Sequence, residues 1–94
     1  MPAFVIVEID ITDSEKYNSY KKLTPATILP FEGKFVLRGN PVKVLEGEWK
    51  HERLVMLEFP TKEKAEAWYN SDGYQHAKSV REGAAKANFI LIES

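Results

Sequence analysis

The sequence predicts an α+β fold of the ferredoxin-like kind, ordered strand–helix–strand–strand–helix–strand, with a four-stranded antiparallel sheet and its helices on one face. Three observations predict it. Four runs dense in β-branched and aromatic residues alternate with two stretches whose apolar residues recur at helical spacing. Pro30, Gly33, Pro60 and Gly83 punctuate the joins between them. Two of the runs carry a fully apolar face, Ala3, Val5, Val7 and Ile9 in the first and Val55, Leu57 and Phe59 in the third. Right-handed crossovers place both helices on one side and make the first and third strands central. These two strands are expected to run parallel to each other.

The first strand is predicted over Ala3–Asp10. Thr12-Asp13-Ser14-Glu15 then fits a capping box, with the Thr12 hydroxyl accepting from the Glu15 amide. Tyr17, Tyr20 and Leu23 define one face of the helix that follows, and Pro25 is expected to kink or restart it. The second strand is predicted over Gly33–Arg38. It is expected to bend through a bulge at Gly39-Asn40-Pro41 and resume over Val42–Leu45. Glu46–Glu52 reads as a polar turn with His51 exposed, and Arg53–Phe59 as the third strand. Thr61 is the expected N-cap of a helix with Ala65, Trp68 and Tyr69 on its apolar stripe. Asn70-Ser71-Asp72-Gly73 breaks that helix. Ser71 or Asp72 caps a second segment through Tyr74, Ala77, Val80 and Arg81, which Gly83 ends. Asn88–Glu93 is the last strand.

At 94 residues the chain suits a single domain, residues 1–94. A domain this short buries only about 60% of the surface its unfolded chain exposes, so good packing or a partner must supply stability. The absence of cysteine rules out disulfides and thiolate metal sites, and no metal site is expected. The net charge of −1 speaks against nucleic-acid binding. No apolar run approaches the ~20 residues of a membrane span, and the start of the chain lacks signal-peptide character, so a cytoplasmic protein is expected.

The second faces of the central strands are Phe4, Ile6 and Glu8, and Leu54, Met56 and Glu58. A face open to water would be polar along its length. A second copy of the sheet is the simplest cover, and a homodimer is expected. With the central strands parallel, Glu8 and Glu58 fall at the same end, and Arg38 is the cation that would separate them. This Glu8–Arg38–Glu58 cluster has two readings, a structural ion network at the dimer seam or an anchor for a small polar or anionic ligand. Tyr17 and Tyr69 are the aromatic candidates to line such a site. Tyr20, Trp68 and Tyr74 read as packing residues, and His76 as a solvated histidine. No phosphate loop, nucleophile elbow or zinc motif is present.

The run Gly33-Lys34-Phe35-Val36-Leu37-Arg38-Gly39, with Val44-Leu45-Glu46-Gly47-x-Trp49, Arg53, Glu58-Phe59-Pro60, Ala67-Trp68-Tyr69-x-Ser71-x-x-Tyr74 and Asp13-x-x-x-Tyr17-x-x-Tyr20, resembles the domain-of-unknown-function 1330 (DUF1330) family over essentially the whole chain. The resemblance implies a ferredoxin-like dimeric α/β barrel, similar in architecture to cofactor-free monooxygenases and small-molecule-binding stress proteins. It brings no agreed reaction and no cofactor. The family's characteristic polar residues fall on Arg38, Arg53 and Glu58. Three functions follow as expectations. The first is a dimeric binder of a small polar or anionic molecule near Arg38 and Glu58. The second is a cofactor-independent monooxygenase- or isomerase-like enzyme with Glu8 or Glu58 as base. The third is a purely structural dimer. No residue is assigned as catalytic.

Overall fold

A computed structural model describes residues 1–94. The alternation that opens the sequence produces β1, Ala3–Ile11, whose odd positions from Ala3 to Ile9 are buried. Asp13, rather than Thr12, caps the following helix α1, Ser14–Ile28, by accepting from the Lys16 amide at 3.1 Å. Thr12 is drawn instead toward the Gly83 carbonyl. Helix α1 runs unbroken through Pro25, so the expected restart does not occur. Its buried face is Tyr17, Tyr20, Thr24 and Ile28, and Leu23 points outward.

A 3-10 turn over Leu29–Phe31 leads to β2, Lys34–Pro41. Gly33 sits between them because a Cβ there would come within 2.5 Å of the Phe59 ring. The expected bend at Gly39 is real, with φ at +83° and a register irregularity between Arg38 and Asn40. The strand nevertheless ends at Pro41 and does not resume. Val44 and Leu45 are exposed, since no neighbouring strand covers them, and Leu45 is 90% exposed. The chain then forms β3, Arg53–Phe59, followed by α2, Lys62–Tyr69, and α3, Asp72–Arg81. Thr61 and Ser71 cap these helices through the Lys64 and Tyr74 amides. The last strand, β4, spans Ala85–Glu93 and starts three residues before the predicted Asn88.

The sheet order is β2-β3-β1-β4, and every neighbouring pair is antiparallel. The first and third strands are central as expected, but they run antiparallel. In a split βαβ unit it is β1 and β2 that share a direction, and β3 lies between them. The helices cover the face of Ala3, Val5, Val7, Ile9, Val55, Leu57 and Phe59, all buried. Trp68 and Tyr74 pack there with ring centroids 4.3 Å apart.

The opposite face carries Phe4, Ile6, Leu54 and Met56, none fully buried, together with Ile90 and Ile92, 53% and 46% exposed. No element of the chain covers it. No helix is long and apolar enough to cross a membrane.

Candidate functional site

Strand β2 decides where the charged residues go. Phe35 pairs with Leu57, yet Leu37 pairs with Met56, so the ladder slips by one residue at Val36. Side chains alternate along a strand, and a one-residue slip moves every later residue to the other face. Arg38 therefore pairs with Val55 and joins Phe35 on the helix-covered side. Arg53 lies opposite Ile9 and shares that side. Tyr17 and Tyr20 face them from α1.

Between these elements lies a cavity of about 280 Å³. Tyr17, Tyr20, Phe35, Arg38, Arg53 and Phe89 are among its walls, and no aspartate or glutamate lines it. Arg38 and Arg53 are exposed overall and stand at its rim. Arg38 lays its guanidinium on the Phe35 ring, 4.4 Å from the centroid, and donates from Nη2 to the Lys21 carbonyl at 2.7 Å. Arg53 donates from Nη1 to the Gly39 carbonyl at 2.9 Å. Neither forms a salt bridge. The ion pairs of the molecule lie elsewhere, at Lys34–Glu58, His51–Glu8, His51–Asp10 and Lys64–Glu32.

The phenols inside are held neutral. Burial, together with the charge that would form on Tyr20, pushes Tyr17 up to about 12. Burial raises Tyr20 and Tyr74 as well, and their hydroxyls share a hydrogen bond of 3.0 Å. At neutral pH this cavity offers hydrogen-bond donors, fixed positive charge and aromatic faces. Such a set suits a small organic anion.

The expected Glu8–Arg38–Glu58 cluster does not form. With β1 and β3 antiparallel, Glu58 pairs with Phe4 and Glu8 with Leu54, at opposite ends of the open face. Those ends are four residues apart, roughly 13 Å along the strand, and Arg38 is on the other side of the sheet. Glu58 meets Lys34 at 3.8 Å instead. Of the candidates, Tyr17 and Arg38 come together. Tyr69 lines a second, more open pocket with Val5, Ala65 and Leu91, and its hydroxyl takes the Lys78 ammonium at 3.1 Å.

His51 is not exposed. Its side chain retains 14% accessibility because it folds onto the open face. There Nδ1 meets Asp10 at 2.8 Å, and Nε2 lies 3.5 Å from Glu8. Asp10 also accepts from the Glu52 amide. That bond, with the histidine, holds its carboxyl below the usual 3.8 against the opposing effect of burial. The two ring nitrogens engage different carboxylates, and no group of His, Asp and Glu converges to hold a metal ion.

Sequence reasoning missed Arg53 and Tyr20 as cavity residues. Both were legible by spacing: Arg53 alternates with Val55, Leu57 and Phe59, and Tyr20 follows Tyr17 on one helical face.

The family model described as Domain of unknown function (DUF1330) matches residues 2–94. The chain belongs to the DUF1330 family. No curated protein matches it. Among solved structures, this DUF1330 chain is similar to a protein of unknown function from Rhodopseudomonas palustris, with TM-score 0.80 and 17% identity over 99% of this chain and 82% of that one. A dimeric ferredoxin-like protein of unknown function from Jannaschia sp. CCS1 matches with TM-score 0.75 and 12% identity over 100% of both chains. SnoaB, a cofactor-independent oxygenase from Streptomyces nogalater, matches with TM-score 0.67 and 12% identity over 99% of this chain and 92% of that one. At these identities the likeness establishes the ferredoxin-like fold of the DUF1330 chain.

Proposed function

We propose that this protein is a homodimeric binder of a small organic anion, held by Arg38 and Arg53 with Tyr17 and Tyr20 in the cavity between α1 and the sheet. One observation carries the reading: two guanidinium groups line a cavity with aromatic and aliphatic walls and no carboxylate. The dimer is supported by the uncovered apolar face of Phe4, Ile6, Leu54, Met56, Ile90 and Ile92. It is also supported by the dimeric description of the similar Jannaschia protein.

The oxygenase among the similar structures raises an enzymatic reading, but binding stands ahead of it. Glu8 and Glu58, the bases that reading needs, are on the far side of the sheet from the cavity. Tyr17 keeps its proton at neutral pH and serves as a donor. A purely structural dimer has no use for a cavity whose rim arginines have no carboxylate partner.

Calorimetric titration with benzoate tests the assignment, using the wild type, Arg38→Gln and Arg53→Gln. Both substitutions should weaken binding about tenfold or more, the usual worth of a charge-assisted hydrogen bond. Equal affinity in all three proteins would remove the arginines from the site.

A further inference from the structure

The cavity between α1 and the sheet changes character with depth. Its fully exposed lining residues are Ser14, Asn18, Arg38 and Arg53, and all four are polar. Its buried lining residues include Val7, Ile9, Val55, Leu57 and Trp68, drawn from β1, β3 and α2. The polar atoms that the buried walls do carry are mostly committed to the protein. The Tyr20 hydroxyl shares its bond with Tyr74 at 3.0 Å, and Trp68 Nε1 donates to the Thr27 hydroxyl at 3.0 Å. The Thr24 hydroxyl donates to the Lys21 carbonyl at 3.2 Å. Tyr17 alone among the buried walls keeps an uncommitted hydroxyl.

A ligand group that enters this interior gives up water and finds little to replace it. For an acidic or strongly polar group that exchange is a loss, and for an apolar group it is a gain. From this gradient we infer that the ligand is a small acid with a single acidic head and one apolar body, bound body-first. The head stays at the mouth with Arg38 and Arg53, and the body lies against Val7, Leu57 and Trp68. A cavity of about 280 Å³ is at the small end of ligand pockets, which run from about 300 to 1,000 Å³. The body is therefore no larger than about one ring with a short alkyl group. The inference rests on the reading of this cavity as an anion site, and adds which end of the ligand goes in and what that end is made of.

The test is isothermal titration calorimetry of the wild type with benzoate, 4-methylbenzoate, 4-ethylbenzoate and terephthalate. The para substituent points away from the carboxylate, and so down the cavity. Each added carbon should tighten binding about fourfold, the worth of a buried methylene. Terephthalate puts a second carboxylate at the same depth and should bind about tenfold or more weakly than benzoate. In NMR spectra of the complex, nuclear Overhauser effects should join the ethyl protons of 4-ethylbenzoate to the methyl groups of Val7 and Leu57. Binding on the rim alone would not give that contact.

An affinity that stays flat from benzoate to 4-ethylbenzoate overturns the inference, as do Overhauser contacts confined to the rim. Terephthalate binding as tightly as benzoate overturns it too. If no probe binds, or if Arg38→Gln and Arg53→Gln bind like wild type, the anion site itself fails and the orientation falls with it. If those two arginines are needed and the alkyl series is flat, the site stands and its ligand is not a body-first acid.

Discussion

Arg38 is held by a carbonyl that Pro25 leaves free. In an α-helix the amide of residue 25 would donate to the carbonyl of Lys21, and proline has no amide hydrogen to give. The Lys21 oxygen instead accepts from Arg38 Nη2 at 2.7 Å and from the Thr24 hydroxyl at 3.2 Å. A residue unfavourable to helix α1 thus ties the arginine of β2 across the cavity rim.

Pro25→Ala should separate stability from binding. Alanine restores the helical hydrogen bond and removes a penalty of about 3 kcal/mol, while the more flexible unfolded chain returns up to about 1 kcal/mol. A net gain of about 2 kcal/mol should appear in urea unfolding. Competition for the Lys21 carbonyl should loosen Arg38 and weaken benzoate binding severalfold. Stability and affinity rising together would show that the freed carbonyl does not position Arg38.

Much of this architecture was legible from residues alone, because it follows from burial. Ala3, Val5, Val7 and Ile9 of β1 and the face of Val55, Leu57 and Phe59 pack under the helices as their alternation requires. Thr61 and Ser71 cap their helices for the same local reason. The site was less legible. Its geometry turns on the slip at Val36, which involves an ordinary valine with no turn residue to announce it. Missing that slip, together with taking β1 and β3 as parallel, sends Arg38 to the wrong face and gathers Glu8 and Glu58 at one end. The partner of His51 was equally hidden, since Asp10 is 41 residues away and only folding joins them.

The Tyr20–Tyr74 hydrogen bond couples α1 to α3 in the core. Tyr20→Phe or Tyr74→Phe alone strands a buried hydroxyl and should destabilise by about 1–3 kcal/mol. The double substitution removes both polar groups and should be less destabilising than the sum of the two. Chemical denaturation of the four proteins completes the cycle. Strict additivity would mean that the two hydroxyls find other partners.

Stability should fall at both ends of the pH range, for opposite reasons. The carboxyl of Asp10 is lowered from 3.8 by the Glu52 amide and His51, so its contribution is present above 3.8 and is lost as pH falls through the folded value. Asp10→Asn should flatten that acid limb. Tyr17 is raised from 10.0 to about 12, so its neutral form contributes fully below 10 and the contribution is lost as pH climbs toward 12. Tyrosinate absorbance should accordingly show phenols that ionise only well above 10, with thermal midpoints declining over the same interval. A Tyr17→Phe protein that declines identically would leave Tyr20 and Tyr74 as the source.

The open face of the sheet makes the last prediction. Ile6 and Met56 pair across the two central strands, and Ile90 flanks Ile6 on β4. They form one apolar strip with Glu8 and Asn88 at one end and Glu58 at the other. Charge placed in the middle of such a strip must be desolvated when two copies meet, whereas the isolated chain exposes it to water. Ile90→Lys, already half exposed in the single chain, should therefore leave the fold intact by circular dichroism and convert a dimer to a monomer in light scattering. Lys34→Ala, exposed at the Glu58 end, should leave the dimer in place, because a surface ion pair contributes only about 0–1 kcal/mol. A wild type that is monomeric at micromolar concentration, or an Ile90→Lys protein that remains dimeric, would move the interface off this face.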